Sequence, residues 1–205
     1  MAGDYSAYDF QEDDPYLLPG STCLINLLSI SNTSSLNQAE ADITQVTLAE
    51  LVRTPVKGSF DLTHLQEIHY RIFQDIYPFA GKLRTVDILK GGKLFLPFTL
   101  IETKANELFN ELANENYLQG LELKSFSERA GYYLGNINKI HAFREGNGRT
   151  QRVFIDQLAK QNGFYIEWQA ISGEAMARAC REARIEGGSY ANLERLLFLH
   201  TNNMS

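Results

Sequence analysis

Cysteine is scarce. Cys23 and Cys180 are the only two in 205 residues, far apart and without partner spacing. Neither a disulfide framework nor a CxxC metal site can be built from them. Both read as small buried apolar side chains in a protein from a reducing compartment. Long apolar runs are missing too. Residues 24–28, Leu-Ile-Asn-Leu-Leu, fall far short of the roughly 20 residues that span a bilayer. The opening MAGDYSAYDFQEDDPY is acidic where a secretory leader is basic, and it has no apolar centre. Nor is there a basic coat: 19 Lys and Arg against 25 Asp and Glu leave a net charge of −6. These absences predict a soluble cytoplasmic protein with no membrane partner and no direct nucleic-acid binding.

What is there is ordinary globular material, 44% hydrophobic and 21% charged, long enough for one domain with a real core. It contains no repeat and no low-complexity tract. Leu36, Ala39, Ile43 and Val46 keep helical spacing over residues 36–51. Asp61 can cap a second helix that buries Leu62, Leu65, Ile68 and Ile72 and runs out at Tyr77-Pro78. Leu100, Ile101, Ala105, Leu108 and Leu112 mark a third. Ser125 and Glu128 have capping-box spacing ahead of Phe126, Ala130, Tyr133, Ile137 and Ile140. A further helix starts near Gly148, carries Val153, Phe154 and Leu158, and ends at Gly163. Two more are expected, from Ser172 to about Ala183 and through Leu193, Leu196 and Leu197.

Residues 84–98 read differently. Val86, Ile88 and Leu89, then Gly91-Gly92, then Leu94 and Phe95 form two short strands about a glycine turn. A two-stranded ribbon is marginal alone, so it must pack on a helix or serve a partner. The pattern predicts a mainly α chain, one domain over residues 1–205, built as a helical bundle with a small β-hairpin.

One stretch stands apart: His141-Ala142-Phe143-Arg144-Glu145-Gly146-Asn147-Gly148-Arg149-Thr150-Gln151-Arg152. It falls between two predicted helices, with its glycines at the start of the second. Backbone N–H groups at a helix N-terminus make an anion site. Gly146 and Gly148 let a phosphate approach them and can take the positive φ of a concave amide nest. With histidine neutral, three arginines against Glu145 leave this stretch at +2 and the rest of the chain at −8. Arg149 and Arg152, three apart, share a helix face from which both can hold a polyphosphate. Glu145 is a hard oxygen ligand suited to Mg²⁺, which needs only one or two carboxylates when phosphates supply the rest. His141 is the natural general base. Singly these are a turn, a structural histidine and solvated arginines. Their convergence points to transfer chemistry on a Mg²⁺-bound nucleotide phosphate.

The stretch resembles the signature of the Fic family, HxFx[DE]GNGRxxR, at every fixed position. Ala142 fills a variable position that is often proline in the family. Asp14-Pro15-Tyr16 followed by Pro19-Gly20 is similar to the N-terminal stretch of the bacterial cell-filamentation members. Tyr77-Pro78-Phe79-Ala80-Gly81-Lys82-Leu83-Arg84 is similar to the segment leading into the Fic flap. The resemblance implies a single Fic domain, with residues 1–35 as an N-terminal extension, 84–98 as the flap and 141–152 as the signature loop and helix start. It implies an enzyme that moves AMP from ATP onto a hydroxyl of a target protein, in its own cytoplasm or that of a cell into which it is delivered.

On that resemblance His141 takes the proton of the attacking hydroxyl and Glu145 holds Mg²⁺. Gly146, Asn147 and Gly148 form the nest for the α- and β-phosphates, Arg149 also binds phosphate, and Arg152 holds the γ-phosphate. Phe143 matches a core anchor. The target pairs its backbone with the flap edge, a form of β-augmentation, and Lys90, Gly91, Gly92 and Lys93 make up the flap tip. Lys93 either neutralises phosphate or is simply solvated.

Many Fic proteins are held off by a helix bearing [ST]xxxE[GN]. Here Thr63…Glu67 is followed by Ile68 and Thr103…Glu107 by Leu108, so neither completes it. That implies a toxin restrained by a separate small antitoxin. Doc-type relatives, which move the γ-phosphate, carry lysine where this chain has Gly146, so the Gly-Asn-Gly run favours AMP. Two alternatives stay open: a catalytically idle module that presents its flap to a partner, and transfer of another phosphate-containing group. His64 and His69 lie roughly 140° apart around a helix and face no common metal. His200 is expected at the surface. Tyr132 and Tyr133 are candidate self-modification sites that nothing in the sequence selects.

Overall fold

The computed structural model describes Tyr8, residues 14–185 and residues 187–204. Among the described residues seven α-helices run in order: α1 (Thr33–Arg53), α2 (Leu62–Phe73), α3 (Ile101–Asn114), α4 (Leu123–Ile140), α5 (Asn147–Gln161), α6 (Gly173–Arg184) and α7 (Ala191–His200). β1 (Leu89–Lys90) pairs antiparallel with β2 (Lys93–Leu94), Leu89 facing Leu94. β3 (Phe164–Ile166) pairs antiparallel with β4 (Thr201–Asn203). The mainly helical expectation holds, and so does the hairpin. Sequence patterning does not show the second ribbon, because Thr201-Asn202-Asn203 alternates nothing. It pairs only because α7 returns the chain beside Phe164.

α4 is the central element. Phe126, Ala130 and Tyr133 are fully buried along it, and it packs on α3, α5, α6 and α7. Its contact with α7 is close because a Cβ at Gly131 would lie 2.8 Å from the Glu194 Cα. The helix begins at Leu123, with Glu122 at the N-cap position but making no side-chain capping bond. Ser125 therefore lies inside the first turn, and the expected capping box does not form. Ser172 does cap α6, accepting from the Ala175 N–H at 3.2 Å. Asp61 caps α2 through the His64 N–H at 2.7 Å. α2 ends at Phe73, ahead of Tyr77-Pro78, because the N–H groups of Ile76 and Tyr77 both turn back onto the Phe73 carbonyl at 2.9 Å.

α1 departs most from its pattern. Its buried residues are Leu36, Glu40, Thr44 and Leu51, whereas Val46 is 61% exposed. Periodicity finds the helix and turns Leu36 and Ile43 toward the core but misplaces Val46, because two of the inward positions are polar and matched by polar partners described below. Before α1, the Leu27 N–H reaches the Ile76 carbonyl at 2.8 Å, and Cys23 is buried while Cys180 is half-buried, both as free thiols. His200 is half-buried rather than exposed, its Nδ1–H donating to the Leu196 carbonyl at 2.8 Å. Among the described residues, no helix is long and apolar enough to cross a membrane.

Candidate active site

The 141–152 stretch links α4 to α5 at the centre of the molecule. His141 is the C-cap of α4, in the left-handed region at φ 48°, a conformation that a side chain of this size adopts only when its surroundings impose it. One imposition is an N–H bond to the Ile137 carbonyl at 3.0 Å. The ring is fixed as tightly. Phe95, following β2, stacks on it at 3.7 Å between centroids and 19° between planes. Nδ1 faces the Asn138 carbonyl at 3.0 Å. A carbonyl can only accept, so the proton sits on Nδ1 and Nε2 presents its lone pair. Burial pushes the imidazole pKa well below its usual value, and the cations Lys90, Arg84 and Arg184 push the same way. The ring is held as a neutral base.

Next comes the loop into α5. Gly146 caps the helix at φ 77°, and a Cβ there would collide with the Phe73 ring at 2.2 Å. The Asn147 side chain spans the loop, donating to the Phe143 carbonyl at 2.7 Å and accepting from the Phe143 N–H at 3.0 Å. The first-turn N–H groups of α5 thus open a rigid nest. A Cβ at Gly148 would meet only the Arg152 Nη1, at 3.4 Å, so the backbone there is approachable. Arg152 lies against this mouth.

Glu145 is half-buried, with Oε1 accepting from the Gly146 N–H at 2.8 Å. Burial, and then the nearby Glu40 carboxylate, push its pKa up, while Arg149 and the Gly146 N–H pull it back. Arg149 stands 3.8 Å from Glu145 but 2.5 Å from Glu40 and 3.2 Å from the Thr44 hydroxyl. Glu40 also accepts from the Tyr77 hydroxyl. The two polar residues on the inner face of α1 are therefore the seat of a signature arginine. Arg144, counted in the positive charge of the stretch, is neutralised by Asp14 at 2.8 Å in a nearly buried pair.

At the flap, Gly91 and Gly92 take φ 62° and 70°, the pair of positive values that a tight two-residue hairpin turn demands. Both glycines and Lys93 are exposed. Lys90 is half-buried, its ammonium 5.8 Å from the Tyr8 ring centroid, and burial lowers its pKa.

Two residues essential to this geometry escape the sequence reading. Arg84 is 2% exposed. It donates to the carbonyls of His141 (2.8 Å), Val86 (2.7 Å), Ile140 (3.3 Å) and Leu96, tying both roots of the hairpin to the end of α4. Burial brings its pKa down to about 10, leaving it charged. His69, fully buried on α2, accepts from the Gly81 N–H at Nδ1 (2.8 Å) and donates from Nε2 to the Glu145 carbonyl (2.9 Å). It also stacks on Phe143 at 3.9 Å. Burial lowers its pKa to about 3. Arg84 ends the flap-leading segment that the sequence singles out, the one signal that could have found it. Tyr132 and Tyr133 lie elsewhere: Tyr133 is fully buried, and the Tyr132 hydroxyl bonds Glu111 at 3.1 Å.

A family model described as Fic/DOC matches residues 59–159, which include His69, the hairpin and the whole signature. The chain is 43% identical over 171 residues to Protein adenylyltransferase VbhT of Bartonella schoenbuchensis, covering 83% of this chain but 36% of that protein. It therefore spans about a third of that relative's length. It is 42% identical over 167 residues to Probable protein adenylyltransferase Fic of Escherichia coli, covering 81% of this chain and 82% of that one. Among solved structures, the N-terminal Fic domain of a Bartonella quintana cell filamentation protein with bound ADP superposes with a TM-score of 0.86 at 27% identity, over 92% of this chain and 95% of that one. BepC of Bartonella tribocorum with bound AMPPNP gives 0.86 at 25% identity, over 93% and 97%.

Proposed function

We propose, since this chain belongs to the Fic/DOC family, that it is a protein adenylyltransferase moving AMP from ATP onto a side-chain hydroxyl of a target protein. The observation that carries this reading is the His141 ring, held as a neutral base with Nε2 presented beside the α5 nest. Residues 1–205 act as one Fic domain, with 84–98 as its flap and 141–152 as its signature.

In this reading the target backbone adds to the flap around Lys90, Gly91, Gly92 and Lys93, which places its hydroxyl without reading much sequence. His141 Nε2 takes the proton as the oxygen attacks the α-phosphorus. A positioned base contributes typically ~10²–10⁴-fold. The nest of Gly146, Asn147 and Gly148 holds the phosphates and faces the charge that develops, with the Gly146 N–H committed to Glu145 Oε1 until that carboxylate turns to the cation. Arg152 takes the γ-phosphate. Arg149 contributes charge to the same site while seated on Glu40.

Glu145 fits Mg²⁺. It is a single hard carboxylate at the nest, and among the described residues no cluster of three His, Cys, Asp or Glu forms an all-protein cage. That donor set suits a cation carried mainly by phosphates and water. When bound, Mg²⁺ would neutralise phosphate charge and favour pyrophosphate as leaving group.

Restraint by a separate small antitoxin in the cytoplasm completes the reading. Glu67 is exposed on α2 and Glu107 pairs with Lys104 at 2.6 Å on α3, so neither is placed as a self-inhibitory glutamate. Co-expression with such an antitoxin should relieve a growth arrest that the chain alone causes.

The deciding experiment uses ATP labelled at the α-phosphate, Mg²⁺ and a bacterial lysate, with His141→Ala beside the natural protein. A labelled band lost in the variant is expected. Label from the γ-phosphate alone would replace the reading with phosphoryl transfer. Bound ATP with no label transferred would leave a binding module. The acid limb of the rate should lie below the ordinary imidazole range, because the lowered pKa keeps His141 unprotonated as pH falls.

A further inference from the structure

Tyr8 stands 133 positions from His141 in the chain, yet its hydroxyl lies 2.8 Å from the imidazole Nε2. With the ring proton on Nδ1, the phenol must donate and Nε2 accept. The same oxygen accepts from the Asn147 Nδ2 at 3.1 Å. A hydroxyl aimed at the base and resting on the nest residue is what an acceptor needs before attack.

The ring is seated rather than loosely laid down. It meets Phe95 edge-on at 6.2 Å and His141 at 5.7 Å. The Arg144 guanidinium lies 5.2 Å from its centroid and the Lys90 ammonium 5.8 Å. Arg144 is itself held by Asp14, further along the same N-terminal stretch. Flap, signature loop and α5 thus all contribute to the seat.

We propose that Tyr8 is an intramolecular acceptor, adenylylated at its own hydroxyl by the site it occupies. The inference rests on the transferase reading above. In the step, the Tyr8 Oη–Pα bond forms as the bond from Pα to the β-phosphate bridging oxygen breaks. The phenolic proton passes to His141 Nε2, and pyrophosphate leaves with the bonding electron pair. His141 then returns its proton to solvent, and nothing is oxidised or reduced. Burial pushes the phenol pKa far up, so Tyr8 is neutral and depends on that base. The product phosphodiester has no phenolic proton to give His141, so the step runs once per chain.

The test incubates the purified 205-residue chain with Mg²⁺ and α-labelled ATP at several protein concentrations, with and without lysate, and maps label by peptide mass spectrometry. Tyr8→Phe and His141→Ala are run in parallel. The expected result is label on the Tyr8 peptide, first order and independent of protein concentration, absent from both variants. Label on lysate proteins or on other residues of this chain, with the Tyr8 peptide unmodified, would overturn the inference and leave the transferase reading standing. A rate on Tyr8 that rises with protein concentration would overturn the intramolecular assignment. No α-label on any protein would overturn the transferase reading, and this inference with it.

Discussion

Gly146 and Gly148 look interchangeable in the sequence, and the fold gives them different tasks. Gly146 sits at φ 77° against the Phe73 ring. An alanine there meets a left-handed penalty of about 1–2 kcal/mol and an overpacking cost of about 1–3 kcal/mol, so Gly146→Ala should lower the urea midpoint sharply. Gly148 is within α5, and a Cβ there would make only an ordinary contact with the flexible end of Arg152, at 3.4 Å. Gly148→Ala should hold or raise stability, by up to about 1 kcal/mol from helix propensity. If the proposed nest holds phosphate, the added methyl would obstruct it, and nucleotide affinity measured by calorimetry should fall roughly tenfold, or ~1.4 kcal/mol. The two variants separate folding from binding at neighbouring positions. Equal losses of stability would contradict that division.

At the scale of elements, the flap and α1 depend on single charged residues. Arg84 serves four carbonyls from the hairpin roots and the end of α4. Arg84→Ala strands them and should cost about 3–5 kcal/mol, with faster hydrogen exchange confined at first to residues 86–96. Arg84→Lys should recover little, since one ammonium cannot reproduce the planar fork. α1 presents Glu40 to Arg149 and Tyr77. Glu40→Gln keeps a hydrogen-bonding side chain and loses the charge, which should cost about 1.5–3 kcal/mol in denaturant unfolding and weaken nucleotide binding through a displaced Arg149. Wild-type binding in that variant would show that Arg149 needs no seat.

For the whole molecule, buried histidines set the response to acid. His69 has a folded pKa of about 3 against an unfolded value near 6.5, and burial lowers His64 and His141 as well. Below about pH 6.5 the unfolded chain takes up protons that the folded chain refuses. Stability is therefore fully present above that value and declines as pH falls, for His69 down to about 3. Each such group contributes a slope approaching ~1.4 kcal/mol per pH unit. Urea unfolding between pH 6.5 and 5, above the usual carboxylate range, should show the decline, and His69→Gln should flatten it. An unchanged slope in that variant would mean that His69 protonates without cost in the fold.

Local chemistry alone determined much of this protein. Apolar spacing located the helices, Gly91-Gly92 located the hairpin turn, and the 141–152 stretch marked the loop between α4 and α5 on which the proposed site is built. Each is a property of near neighbours in the chain, where a period of 3.6 or a positive φ leaves its mark on residue choice. Tertiary structure alone decided what those residues face. Glu40 is an ordinary helix-surface glutamate until Arg149 stands 2.5 Å away. Arg84 is one more basic residue until four carbonyls surround it, and His69 is a core histidine until it spans Gly81 and Glu145. Tyr8 has no local signal at all, since its partner lies 133 positions away. Burial turns such distant polar pairs into obligations, because a buried charge or hydroxyl must be matched, and the match is made only when the chain closes on itself.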